Sequence, residues 1–132
     1  MLEPLRVLLD QVRQWADQDP AVRSVALVGS PARGTARPDS DVDLLILTMR
    51  PAALLEDFDW VSRFGRASFK TQENWGRVSS VRVWYATGLE VEFGVTQPDW
   101  ITEPDEGTHR VVNDGLVLLL DKDGAFASWS IP

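Results

Sequence analysis

Val25-Ala26-Leu27-Val28-Gly29-Ser30-Pro31-Ala32-Arg33-Gly34, followed after a short loop by Ser40-Asp41-Val42-Asp43-Leu44-Leu45-Ile46-Leu47, is the stretch that decides how this chain reads. One short apolar run leads into the Gly-Ser pair and a second leads out of the Asp pair. The first reads as a strand, and the second is too apolar on both faces for a half-exposed strand, so it reads as a central one. A small residue at a strand end lets backbone approach a phosphate closely. Two carboxylates two apart on a strand share a face, with Cα atoms on the order of 7 Å apart. Oxygen ligands and substrate phosphates are what Mg²⁺ prefers, so Asp41 and Asp43 are candidate metal ligands. A phosphate cradle beside a divalent-metal site is the equipment for phosphoryl or nucleotidyl transfer.

The rest of the chain reads outward from that stretch. Leu5, Leu8, Leu9, Val12 and Trp15 follow the spacing of an amphipathic helix, with Pro4 in its first turn and Asp17-Gln18-Asp19-Pro20 at its end. Val22 to Val28 and Val42 to Thr48 are the two strands. Pro51 to Phe64 reads as a helix with Leu54, Leu55, Phe58 and Val61 on one face. Ala67 to Lys70 reads as a short strand and Glu73-Asn74-Trp75-Gly76 as a loop. Val81 to Tyr85 and Leu89 to Val95, flanking Ala86-Thr87-Gly88, form a hairpin signature. Pro98 to Glu106 reads as a turn-rich connection with no convincing helix after the hairpin. Asn113-Asp114-Gly115 then separates Val111-Val112 from Leu116 to Leu120, a last strand pair or a helix and strand. Asp121-Lys122-Asp123-Gly124 is a turn, since it lacks the further acids of a calcium loop.

A two-metal site commonly wants a third carboxylate from another strand. The hairpin offers Glu90 and Glu92, which share a face. Glu92 lies between Val91 and Phe93 in the apolar centre of its strand, where an acid is costly to bury without a partner. It is therefore favoured over Glu90, which lies nearer the turn. Six tryptophans is a high number for 132 residues. Trp15 and Trp84 suit the core, while Trp75 and Trp100 fall in loops, where they seal the core edge or stack on a ligand. Arg77 and Arg82 are read as surface or cross-strand partners ahead of phosphate contacts, and the single histidine, His109, as a surface residue.

Net charge is −7, from 13 basic and 20 acidic residues. A long nucleic-acid groove needs many basic residues, so a polynucleotide substrate is disfavoured while a small nucleotide held through metal suits an acidic chain. No apolar run approaches the roughly 18 to 20 residues of a membrane helix. Met1-Leu2-Glu3-Pro4 is unlike a secretory leader, so a cytoplasmic location is expected, with no membrane partner. There are no cysteines, which excludes disulfides and Cys-ligated zinc. The length predicts a single domain over residues 1–132.

Gly29-Ser30-x-Ala32-Arg33-Gly34 with Ser40-Asp41-x-Asp43-Leu44 resembles the signature of the DNA polymerase β-type nucleotidyltransferase superfamily, its minimal nucleotidyltransferases and aminoglycoside adenylyltransferases above all. With the hairpin acid the resemblance spans Val25 to Val95. It implies an α+β nucleotidyltransferase fold, a mixed sheet of about five strands with helices packed mainly on one face. It also implies ATP or another NTP as donor, AMP as the transferred group, and two Mg²⁺ ions. Carried onto this chain, Asp41 and Asp43 are metal ligands and Glu92 is the third ligand or the base. Gly29 and Ser30 hold the triphosphate, with Arg33 beside it. The implied reaction is in-line attack of an acceptor hydroxyl on the α-phosphorus with loss of pyrophosphate, the acceptor being a small molecule or a protein. Alternatives are an antitoxin-type minimal nucleotidyltransferase acting on a helical partner protein, and a non-catalytic nucleotide-binding module. Glu at the third position departs from the Asp often found there. Antibiotic-modifying members carry a helical C-terminal domain that completes the acceptor pocket, and only about forty residues follow the hairpin here. A second copy in a homodimer, a partner chain or the Trp-bearing loops would then supply that half.

Overall fold

In the computed structural model, which describes residues 3–29 and 41–129, the amphipathic stripe of the first helix is buried as its spacing requires. That helix is α1 (Glu3–Gln18), and Leu5, Leu8, Leu9, Val12 and Trp15 all lie in the core. The strands are β1 (Val22–Val28), β2 (Val42–Thr48), β3 (Ala67–Trp75), β4 (Val78–Tyr85), β5 (Glu90–Thr96) and β6 (Leu116–Asp121). The remaining helices are α2 (Pro51–Glu56), a 3₁₀ helix over Asp59–Phe64, α3 (Asp99–Thr102) and α4 (Glu106–Asp114). Among the described residues no helix is long and apolar enough to cross a membrane.

The strands form one sheet in the order β3-β4-β5-β2-β1-β6. β2 and β5 pair in parallel and every other neighbouring pair is antiparallel, so the sheet is mixed and the class α+β. The two runs that opened the reading, β1 and β2, lie in its interior, which explains why both faces of each are apolar. The larger core lies on one face, where α1, α2 and the 3₁₀ helix cover Val25, Leu27, Leu44, Ile46, Val91 and Phe93. A smaller cluster on the opposite face packs Ala26, Leu45 and Leu47 against Trp100, Ile101, Val112 and Phe126, from α3, α4 and the C-terminal turns.

Five local expectations are corrected. The sheet has six strands among the described residues, against the about five expected. In β3, Glu73-Asn74-Trp75 is strand, not loop, because main-chain pairing runs from Ala67 opposite Tyr85 to Trp75 opposite Val78. A polar sequence is tolerated on such an edge strand, whose ladder is made by backbone. The helix expected over residues 51–64 is interrupted at Asp57, whose backbone is extended and whose carboxylate accepts the Asp59 N–H. This Asx-type bond competes with the helical ladder, and the chain resumes as a 3₁₀ helix. After the hairpin, α3 lies in the segment expected to be a turn-rich connection, while α4 and β6 take the helix-and-strand form, one of the two left open there. A capping box starts α4: the Asp105 carboxylate accepts the Thr108 N–H, and the Asp105 N–H donates to the Thr108 hydroxyl. Finally, Trp84 is not a core residue; it shares the sheet face of Ser80 and Arg82 and its indole N–H is used there.

Candidate active site

The strand pairings bring the predicted carboxylates into one row across the sheet. Val28 stands opposite Asp43, Asp43 opposite Glu92, and Glu92 opposite Arg82. Residues 43, 45 and 47 of β2 face α3 and α4, as do residues 92, 94 and 96 of β5, because side chains alternate along each strand. Asp41, two residues before Asp43, lies just ahead of β2, and its carboxylate meets the Arg82 guanidinium on this face.

At the end of β1 the chain turns at Gly29, with φ of 77°. A Cβ on Gly29 would stand 3.1 Å from Asp43 Oδ2, so both the left-handed backbone and the close approach require glycine. Ser30 and Arg33 lie outside the described residues, as does the Trp75 side chain.

The carboxylates are crowded. Burial, first of all, pushes the Asp43 carboxyl up to about 6, and the neighbouring charges of Glu92 and Asp41 push the same way against the pull of Arg82. Glu92 is held from both sides: Ser80 Oγ donates to Oε1 at 2.9 Å and an Arg82 terminal nitrogen donates to Oε2 at 3.0 Å. Arg82 is the hub of this cluster. It donates to Glu90 at 2.6 Å, to Glu73 at 3.2 Å and to Asp41 at 3.4 Å. Its own pKa is raised, first by the hydrogen bond to Glu90, despite the opposing effect of burial.

Glu90 is thereby distinguished from Glu92. One Glu90 oxygen accepts from Arg82 and the other from the Trp84 indole N–H at 2.8 Å, and its strand partner is Trp84. Glu92 has Asp43 as its neighbour on β2. Arg82 makes the cross-strand pairing expected of it. Arg77 instead bonds the backbone carbonyls of Asp99 and Glu103 and holds α3 against β4. His109 is exposed on α4 and rests against Trp129. Two members of the site went unnoticed in the sequence. Glu73 was hidden in an expected loop, and Ser80 lies one residue before the expected start of its strand, with only the alternation Ser80, Arg82, Trp84 to signal it.

The donor set suits a hard divalent cation: Asp41, Asp43 and Glu92 offer only oxygen, from one face, beside a glycine that admits close approach. Crowding that raises the Asp43 pKa is what a bound cation relieves. Among the described residues no three such side chains converge closely enough to hold an ion as they stand. The Arg82 guanidinium bonds both Asp41 and Glu92.

Comparison with known proteins supports the fold and gives the family. The chain is similar in fold to an aminoglycoside 6-adenyltransferase from Bacillus subtilis, with a TM-score of 0.57 at 13% identity over 78% of this chain and 40% of that one. A cytoplasmic RNA terminal U-transferase superposes with a TM-score of 0.53 at 18% identity over 70% of this chain, and a poly(U) polymerase with 0.51 at 17% over 70%. The chain spans 30% of each of these two, so it matches well under half the length of all three structures. No curated protein matches it in sequence. The sequence model of the nucleotidyltransferase domain matches residues 8–99, which contain most of α1, the Gly29 turn, Asp41, Asp43 and Glu92. The resemblance to the DNA polymerase β-type superfamily therefore holds, and the chain belongs to the nucleotidyltransferase domain family.

Proposed function

We propose that this chain transfers a nucleoside monophosphate, AMP from ATP, to a hydroxyl group of a small molecule or protein acceptor. The observation that carries this reading is the register of β2 against β5, which sets Asp43 and Glu92 side by side at the Gly29 turn. Asp41, Asp43 and Glu92 would hold two Mg²⁺ ions, whose charge would offset that of the phosphates during an in-line displacement. Gly29, with Ser30 and Arg33, would cradle the triphosphate; the positive φ of Gly29 aims backbone where a side chain would intrude. In the alternative role, Glu92 would accept the proton of the attacking hydroxyl. Ser80 and Arg82 orient its two oxygens, so that the carboxylate is set before the acceptor arrives. The acidic surface and a reaction without a covalent enzyme intermediate both accord with a small nucleotide donor.

The test is a melting curve with Mg²⁺ and a non-hydrolysable ATP analogue. A ligand at about a hundred times its Kd stabilises the folded chain by about 2.7 kcal/mol and raises Tm accordingly. The Asp41→Ala/Asp43→Ala variant is expected to lose the shift. A shift that survives in that variant overturns the metal-ligand assignment, and no shift in the wild type overturns the nucleotide reading.

A further inference from the structure

Next to the carboxylates, on the same sheet face, is a pocket of about 190 Å³. Asp43, Ser80 and Glu92 line part of it. The rest of its described lining is apolar: Val28, Leu45 and Val78 from three strands, Trp100 from α3 and Val111 from α4, over Gly94. Gly94 has no side chain to fill the space; a Cβ there would lie 3.1 Å from Val78 Cγ1 and 3.4 Å from Leu45 Cδ1.

We propose that this pocket receives an apolar ring or branched aliphatic group of the acceptor, which sets the acceptor's hydroxyl against Asp43 and Glu92. The proposal rests on the nucleotidyl-transfer reading and names the class of acceptor. The volume matches the group, since an apolar cavity of about 150 Å³ accommodates benzene. The position matches too: among the described residues the polar lining of the pocket is Asp43, Ser80 and Glu92, so a group seated against Val111 and Trp100 has its polar end at the carboxylates. A polyol or aminosugar seated here would bury hydroxyl or ammonium groups against valine, leucine and indole carbon, losing roughly ten- to a hundredfold in affinity for each group left unpaired. A nucleobase meets the same obstacle. Its edge carries several donors and acceptors, and the polar side chains of this pocket are those of the reacting end, with Ser80 and Glu92 already bonded to each other. The transfer is the one given above. The acceptor oxygen bonds to the α-phosphorus, the bond from phosphorus to the pyrophosphate oxygen breaks, and the hydroxyl proton leaves to a carboxylate of the site and then to solvent.

The experiment compares acceptors with labelled ATP and Mg²⁺: benzyl alcohol and 3-methylbutan-1-ol against glycerol and glucosamine. The apolar alcohols are expected to be used with a kcat/KM at least about tenfold higher. Val111→Phe, which fills the pocket, is expected to raise the KM for benzyl alcohol about tenfold or more while the melting shift with the ATP analogue persists. Preference for glycerol or glucosamine overturns the proposal, as does a folded Val111→Phe protein with an unchanged KM for benzyl alcohol. Should Val111→Phe fail to fold, Val111→Ala enlarges the pocket instead, and the ratio of 2-naphthylmethanol to benzyl alcohol is expected to rise; an unchanged ratio overturns the proposal. A melting shift without any preference for apolar alcohols refutes this inference alone, whereas absence of the shift in the wild type refutes the nucleotide reading and this inference with it.

Discussion

At the scale of single residues, Asp43 carries the most information. Its carboxyl is pushed from an ordinary 3.8 up to about 6, chiefly by burial and then by Glu92 and Asp41. With the folded value above the unfolded one, the metal-free fold holds a proton that the unfolded chain has released between those two values. The contribution of Asp43 to stability is therefore present below about 3.8 and declines as pH rises, until it is lost above about 6. Asp43→Asn keeps the site neutral, so without Mg²⁺ it is expected to melt higher than wild type near pH 7 and to lose that advantage near pH 4. Paired melting curves across this range check it, and a constant difference would show that Asp43 is not strained. Glu90 and Glu92 separate by the same kind of reasoning. In a labelled-ATP transfer assay Glu92→Gln is expected to cost about a hundredfold or more, as loss of a proton-accepting group does, and Glu90→Gln much less. The reverse order would transfer the role to Glu90.

At the scale of elements, the short helices after the hairpin decide the site's surroundings. α3 has four residues and no side-chain cap, so it depends on its neighbours. Two tie it down: Arg77, through the carbonyls of Asp99 and Glu103, and Thr108, whose buried hydroxyl donates to the Trp100 carbonyl at 2.9 Å. Thr108→Val keeps the shape and removes the hydroxyl both from the Trp100 carbonyl and from the Asp105 N–H of the capping box. A loss of about 1–3 kcal/mol in unfolding free energy is expected from denaturant titration. A change within about 0.3 kcal/mol would mean that α3 is held by packing alone. The β3–β4 hairpin shows the converse. Its polar outer strand pairs through backbone over its whole length, and this carries Glu73 to Arg82.

At the scale of the whole molecule, the sheet separates stability from chemistry. On one face Trp60 stacks on Trp15 at 5.2 Å and meets Phe93 edge-on at 5.0 Å, and its indole N–H donates to the Leu54 carbonyl. These contacts join α1, α2, the 3₁₀ helix and β5. The carboxylate row lies on the other face. Trp60→Ala is accordingly expected to lower stability by about 3–5 kcal/mol. Under conditions where the variant is still folded, its affinity for the Mg²⁺–ATP analogue is expected to stay within about twofold of wild type. Calorimetry and equilibrium titration of one preparation measure both quantities, and a joint loss would show that the two faces are coupled.

The amino-acid sequence by itself determined the central strands, the first helix and the hairpin, because alternation and apolar runs are local consequences of strand and helix geometry. It also determined the Gly-Ser turn, the Asp pair and the candidacy of Glu92, since a carboxylate in the apolar centre of a strand needs a partner. The family followed from the spacing of those residues. Only the tertiary structure decided the parallel register that sets Asp43 beside Glu92, the gathering of Glu73, Ser80 and Arg82 around them, and the placing of Trp100 and Val111 over the same face. Each of these joins segments distant in the chain, and pairing between distant strands is set by the packing of the whole sheet rather than by any local run. The stretch around Gly29 and Asp41 therefore points to the family, while the walls of the neighbouring pocket exist only once β1, β2, β4 and β5 lie side by side beneath α3 and α4.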